Sequence, residues 1–277
     1  MRELDRLWVV VKYEFLKQYR RRRFYGAMIV VVLAVVLSAA MCEGWNLLGR
    51  MGIPSWLLEE KGAELFAIWV SSMSAFALLA AVFFSGDALA SEFERGTGYL
   101  LFPNPVGRGT LVLGKYLACL LATVLVLGTG FFLSALLTLA FYGRVPLGMA
   151  GSFGVTLAIA VFVNGMAFAF SSSLKGGTGA TVATLLTYMV LFSTVSTGLS
   201  YAGHEPWFMP DRASDAMAST YGVSFEEAFG GMMGGGQAMG RMVRASEDPV
   251  VASLLLTGYG LGLLGFSVWR FRRREMA

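Results

Sequence analysis

The chain reads as an all-α membrane protein, with six transmembrane helices, an amphipathic helix ahead of the first and a short charged helix between the second and third. Three observations predict this class. The 277 residues are 56% hydrophobic and only 14% charged, with mean hydropathy +0.63, whereas soluble domains carry about 25% charged residues. Six runs, near 24–42, 65–86, 116–141, 148–170, 178–200 and 249–269, hold no Asp, Glu, Lys or Arg between their ends. Each can cross a hydrocarbon core of roughly 30 Å, which takes about 20 helical residues. The runs are also apolar on every face, where barrel strands would be about 10 residues of alternating character. Residues 1–277 thus form one membrane domain, with no internal repeat and no soluble or nucleotide-binding domain.

Ahead of the first run, Leu4, Leu7, Trp8, Val11, Phe15 and Tyr19 recur at steps of three and four. That spacing predicts a helix over 3–19 with one apolar face. Arg6, Lys12, Glu14 and Lys17 lie mostly off that face, as in a helix lying along a membrane interface. The first span is too long, and too far from Met1, for the core of a cleaved signal peptide. Arg20–Arg23 abut it and can meet anionic headgroups at about 1 kcal/mol per charge. Anchoring topology is enough to explain them, and the net charge of +4 needs no nucleic-acid partner. Cys42 and Cys119 are too few for a disulfide framework and read as space-filling residues within helices.

Lys and Arg favour the cytoplasmic side of short loops. With the N-terminus inside, segments 1–23, 87–115, 171–177 and 270–277 carry 16 basic residues and the outer segments 6. Both termini and the 87–115 segment are therefore expected in the cytoplasm, and 201–248 outside. The outer loop 43–64 is acidic. In the longer outer segment a helix is expected from about Ser214 to Phe229, followed by a glycine- and methionine-rich stretch. Met209, Met217, Met232, Met233, Met239 and Met242 lie in this segment. Thioethers can select Cu(I) or pack adaptably on the bundle, and both readings stand.

Several chemistries lack their residues. Ion-coupled carriers keep ionisable groups inside their spans, whereas here the mid-membrane polar groups are Asn164 and scattered Ser and Thr. Ser71, Ser72, Ser74, Thr178, Thr181, Thr184, Ser193, Thr194, Ser196 and Thr197 are expected at close helix contacts, as are Gly258 and Gly262. Intramembrane proteolysis would need a Ser–His pair, two aspartates or a metal set; the sole histidine is His204, outside the spans. Gly109–Lys115 has the glycine and lysine spacing of a phosphate-binding loop, but that loop requires Ser or Thr after the lysine, and here it is Tyr116. The chain is accordingly expected to bind no cofactor or metal and to catalyse nothing.

The most informative stretch is the charged, Pro- and Gly-punctuated segment Asp87–Lys115 between two apolar runs. Ser91-Glu92-Phe93-Glu94-Arg95 can form a short helix with Phe93 as an apolar plug. Gly96 can end that helix, and Pro103 and Pro105 re-aim the chain toward the membrane. The series Asp87, Glu92, Glu94-Arg95-Gly96-Thr97, Leu100-Leu101, Pro105-Val106-Gly107-Arg108, Gly114-Lys115 resembles the loop between the second and third spans of ABC type-2 exporter permeases. The likeness extends over essentially the whole chain: a basic amphipathic N-terminal helix, six spans and a long outer segment before the last. The match Pro105-x-Gly107-Arg108-Gly109…Gly114-Lys115 is nearest in flavour to a subgroup serving maturation of copper enzymes. Two departures stand out: Gly98 follows Gly-Thr where the family has Leu, and Pro103 adds a second proline.

The resemblance implies the permease subunit of an ATP-driven exporter, in the cell membrane. Two copies, or this chain with a homologous permease, would join two separate ATP-binding subunits, which use ATP and Mg²⁺. It further implies that Asp87, Glu92, Phe93, Glu94, Arg95, Gly96, Thr97, Arg108 and Lys115 couple the chain to those subunits. Arg108 and Lys115 can equally bind phosphates of the inner leaflet. The rival readings are a membrane scaffold that recruits a soluble factor without transport and an ion-coupled carrier.

Overall fold

A computed structural model describes residues 3–50, 53, 55–73, 76–94, 107–174, 176–204, 207–223 and 248–273. Among these the regular structure is helical throughout. Helix α1 covers Glu3–Tyr19 and α2 Arg22–Gly44, followed by one turn of helix, α3, at Leu47–Arg50. The second span is built from α4 (Ser55–Met73) and α5 (Phe76–Ser85), and leads through a turn at Gly86–Leu89 into α6 (Ala90–Glu94). Then come α7 (Arg108–Tyr142), α8 (Gly148–Ser173), α9 (Gly177–Tyr201, with a π-turn at Thr187–Leu191), the short α10 (Ala213–Ser219) and α11 (Pro249–Arg273). Six of these units are long and apolar enough to cross a membrane.

The helices outrun the apolar stretches that define them. At 35 residues and 1.5 Å per residue, α7 is about 52 Å long, well beyond the hydrocarbon thickness. Its first two turns therefore project past the apolar layer on the Asp87 side. Helix α1 packs on this projection: a Cβ on Gly114 would sit 2.5 Å from Val10 Cγ1, so only glycine lets the two helices approach this closely.

At the centre are α4–α5 and α8, each with 67% of its most apolar stretch buried. Helix α11 lies against α8 with backbone touching backbone. A Cβ on Gly260 would come within 2.8 Å of the Val161 carbonyl oxygen, and one on Gly165 would collide with the Gly260 carbonyl. The glycines expected at this contact, Gly258 and Gly262, instead face open space. They share one helix face, and Gly260, two residues from each, lies on the opposite side of the turn.

The hydroxyls of the spans divide similarly. Thr123, Ser134, Thr138, Thr156 and Thr184 are buried and donate to the carbonyl four residues back. Ser85 Oγ lies between the Ala81 carbonyl and Asn164 Oδ1, and Asn164 Nδ2 donates to the Ala160 carbonyl at 2.8 Å. By contrast Thr178, Ser193, Thr194 and Thr197 on α9 are exposed within this chain, and Ser74 lies outside the described residues. Only 11% of the most apolar stretch of α9 is buried, which makes it the least covered span.

At the end opposite Asp87, α10 and the turn after it plug the bundle. The helix expected from Ser214 to Phe229 is shorter. It ends at Ser219, where the chain turns through Gly222 at φ +66° and buries Tyr221 against Ser71 (3.0 Å between hydroxyls). Burial pushes the Tyr221 phenol up, and the Ser71 bond opposes the shift. Lys61, at a break in α4 (φ −121°, ψ 25°), donates to the Gly222 carbonyl at 3.0 Å. Met217 packs on Thr156 and Met209 beside Trp207 and Tyr259; Met232, Met233, Met239 and Met242 lie outside the described residues. Cys42 and Cys119 are both buried free thiols.

Candidate functional site

The segment singled out by sequence begins where the second span ends. Gly86 sits directly on Thr181 at the start of α9, with room for no side chain: a Cβ would lie 2.5 Å from Thr181 Oγ1. From this fixed point the chain turns, with Leu89 fully buried, into α6. The backbone N–H groups of Leu89 and Ala90 both donate to Ser171 Oγ at 3.0 Å. Those donors belong to a helix start and have no intrahelical acceptor. A hydroxyl from α8 supplies the cap that a neighbouring Ser or Asp would ordinarily give.

Asp87, at the base of α6, accepts from Arg23 at 3.0 Å, with Arg21 at 3.9 Å. The basic run before the first span is thus tied to the end of the second, beyond its topological role. Glu92, the middle residue of α6, turns inward, and its Oε1 lies 2.7 Å from Lys115 Nζ and 3.8 Å from Lys17 Nζ. Lys115 is 3% exposed and also meets Glu14 Oε1 at 3.2 Å, while Glu14 Oε2 lies 3.5 Å from Lys17. Two carboxylates and two ammoniums therefore form a closed ring in which each acid touches both bases. Burying Lys115 alone would be prohibitive; beside the carboxylates of Glu92 and Glu14 it is tolerated, and Lys17, 47% exposed, closes the ring from the surface.

Helix α1 brings Glu14 and Lys17 here by meeting the protein along one edge of its apolar face, through Val11 and Phe15, while the rest of that face turns outward. Val11 and Gln18 are buried, whereas Trp8 and Tyr19 are 68% and 45% exposed. Gln18 Nε2 donates to the Phe84 carbonyl at 3.2 Å, and the Cys119 thiol donates to the same oxygen at 3.3 Å. The stripe turned to the protein therefore carries the polar groups that find partners there. The outward stripe, with Leu4, Trp8 and Tyr13, suits a membrane interface.

Of the residues expected to act together, Glu92 and Lys115 meet directly, and Asp87 sits at the other end of the same turn. Arg108 lies apart, donating to the Arg272 carbonyl at 3.3 Å. Phe93 and Glu94 belong to α6, and their side chains, with Arg95, Gly96 and Thr97, lie outside the described residues. Sequence reasoning missed Glu14, Lys17, Gln18, Arg23 and Ser171. The i, i+3 pair Glu14–Lys17 on an amphipathic helix was the one available signal. Among the described residues no three His, Cys, Asp or Glu side chains gather as metal ligands would.

Residues 8–276 match the family model described as ABC-2 family transporter protein. The chain is 26% identical over 292 residues to the "Probable ABC transporter permease protein NosY" of Stutzerimonas stutzeri, covering 98% of this chain and 99% of that protein. It is 27% identical over 289 residues, with the same coverage, to the protein of that name from Pseudomonas aeruginosa. A family match over nearly the whole length, on a chain with six candidate membrane-spanning helices, places it in the ABC-2 family, the membrane permease subunits of ABC transporters.

Proposed function

We propose that this chain is the permease of an ATP-driven exporter and that separate ATP-binding subunits drive it through the 87–115 segment. ATP and Mg²⁺ belong to those subunits. The observation that carries the reading is the anchoring of α6. Its base is held by Arg23 and Ser171 and its middle by Lys115, so a push on this five-residue helix reaches α2, α7 and α8 without slack. A loop with no mechanical task needs no such ties. Phe93, Glu94, Arg95, Gly96 and Thr97 then supply the contact with the ATP-binding subunit, while Asp87, Glu92 and Lys115 transmit force.

The basic-residue asymmetry supports a cell-membrane protein with both termini cytoplasmic. The exposed Ser193, Thr194 and Thr197 on the little-covered α9 support pairing with a second permease copy, since hydroxyls facing lipid gain nothing there and can bond across helices. The motif at Pro105–Lys115 supports a place near the copper-enzyme maturation subgroup.

The test is affinity purification of the detergent-solubilised chain from its own cells, wild type against Glu92→Ala/Phe93→Ala/Glu94→Ala, scoring ATPase that co-purifies. Wild type brings an ATPase and the triple variant loses it. Equal recovery from both, or none from either, favours a scaffold or carrier.

A further inference from the structure

The ring around Lys115 has three corners on one body and one on another. Glu14 and Lys17 are one turn apart on α1, and α1 is locked to α7 where Val10 meets Gly114, one residue from Lys115. Glu92 alone rides on α6. Displacing α6 therefore withdraws Glu92 from a lysine that is 3% exposed. An ammonium left without a partner at such depth would oppose that motion strongly. Lys115 already holds a second carboxylate, Glu14, at 3.2 Å.

We infer that Glu14 is a positioning residue that takes over Lys115 when Glu92 leaves, so that α6 moves by exchange of carboxylates. This inference rests on the proposed role of α6 and assigns α1 a part in it. While α6 is seated, each carboxylate serves both lysines and the ring is neutral. Once it lifts, Glu14 remains between Lys115 and Lys17, both within reach of its two oxygens. The displaced state thus keeps a hydrogen-bonded ammonium at Lys115 and gains one net positive charge. Glu14 lowers the barrier to opening; Glu92 holds the closed state.

The two glutamates should consequently have opposite effects, although they touch the same lysine. Glu92→Gln removes the attraction that seats α6. Glu14→Gln leaves Lys115 wholly dependent on Glu92, so α6 is held harder. If both were simply members of a stabilising cluster, neutralising either would loosen the same region.

Amide hydrogen exchange on the full detergent-solubilised chain, read over peptides spanning 87–94, separates these cases. Exchange there reports the population of locally opened states. A charge-assisted hydrogen bond sets the scale, and we expect exchange about tenfold faster in Glu92→Gln and about tenfold slower in Glu14→Gln. Glu14→Asp withdraws the carboxylate by one methylene and slows exchange less, in the same direction. It carries the test should Glu14→Gln fail to fold. Exchange that is faster or unchanged in the folded Glu14 variants overturns the inference. Because the readout needs no ATP-binding subunit, it stands or falls separately from the co-purification that tests the coupling role.

Discussion

Replacing Lys115 with Met should destabilise the protein far more than a surface charge change of the same kind. The methionine keeps the apolar stem but takes the ammonium at 2.7 Å away from Glu92, whose side chain is 10% exposed, and leaves Lys17 more distant at 3.8 Å. Removing one partner of a buried ion pair costs about 3–5 kcal/mol. Lys17 and the 21% exposure of Glu14 place this case at the lower end, near 3 kcal/mol. For chains approaching this size each kcal/mol moves the midpoint by about 2–4 °C, so the melting temperature in detergent should fall by about 10 °C. Adding Glu92→Gln removes the stranded charge, and the double variant should melt above the single one, a non-additivity of about 1–3 kcal/mol. Thermal unfolding of wild type, both singles and the double, followed by tryptophan fluorescence, measures all four corners. A Lys115→Met midpoint within 2 °C of wild type (under about 1 kcal/mol), or strictly additive losses, would refute the buried ring as an energetic unit.

Three further outcomes follow from geometry. Ser171→Ala strands the N–H groups of Leu89 and Ala90. At about 1–3 kcal/mol for a buried donor left unpaired, it should lower the melting midpoint and speed proteolytic cleavage near α6. Gly260→Val should abolish a monodisperse peak on size exclusion, since its Cβ meets the Val161 carbonyl, while Gly258→Val, facing open space, should behave as wild type. Tyr221→Phe removes the Ser71 bond at the far end and should cost about 1 kcal/mol in thermal unfolding, with co-purification of an ATPase unchanged.

The spans were legible because the bilayer imposes one demand, a long uncharged run, that composition reports directly. The charged segment after the second span was legible for the converse reason: charges between such runs must leave the membrane. What sequence concealed is which face of a helix meets protein rather than lipid. In lipid both faces are apolar, so hydrophobic periodicity groups Val11 with Trp8 and Tyr19, and does not show that Val11 meets protein beside Glu14 and Gln18 while Trp8 and Tyr19 turn outward. The same degeneracy hid Gly260 behind the more conspicuous Gly258 and Gly262. Ser171 was one of many span hydroxyls, and nothing local marks it as the cap of a helix some eighty residues away. Within 87–115, sequence found the acid and the lysine, and the structure supplied their contact and the Glu14 and Lys17 side chains beside it.

The crossing of α8 and α11 has a mechanical implication. Where two backbones touch through glycine there are no side chains to change rotamer and absorb sliding, so any shear must break atomic contact outright. The two helices behave as a single girder, and Ser171 at one end of it grips the base of α6. Whatever rearrangement opens a path through the bundle must therefore be carried by the less buried members, α2 and the sparsely covered α9, swinging against a frame that stays still.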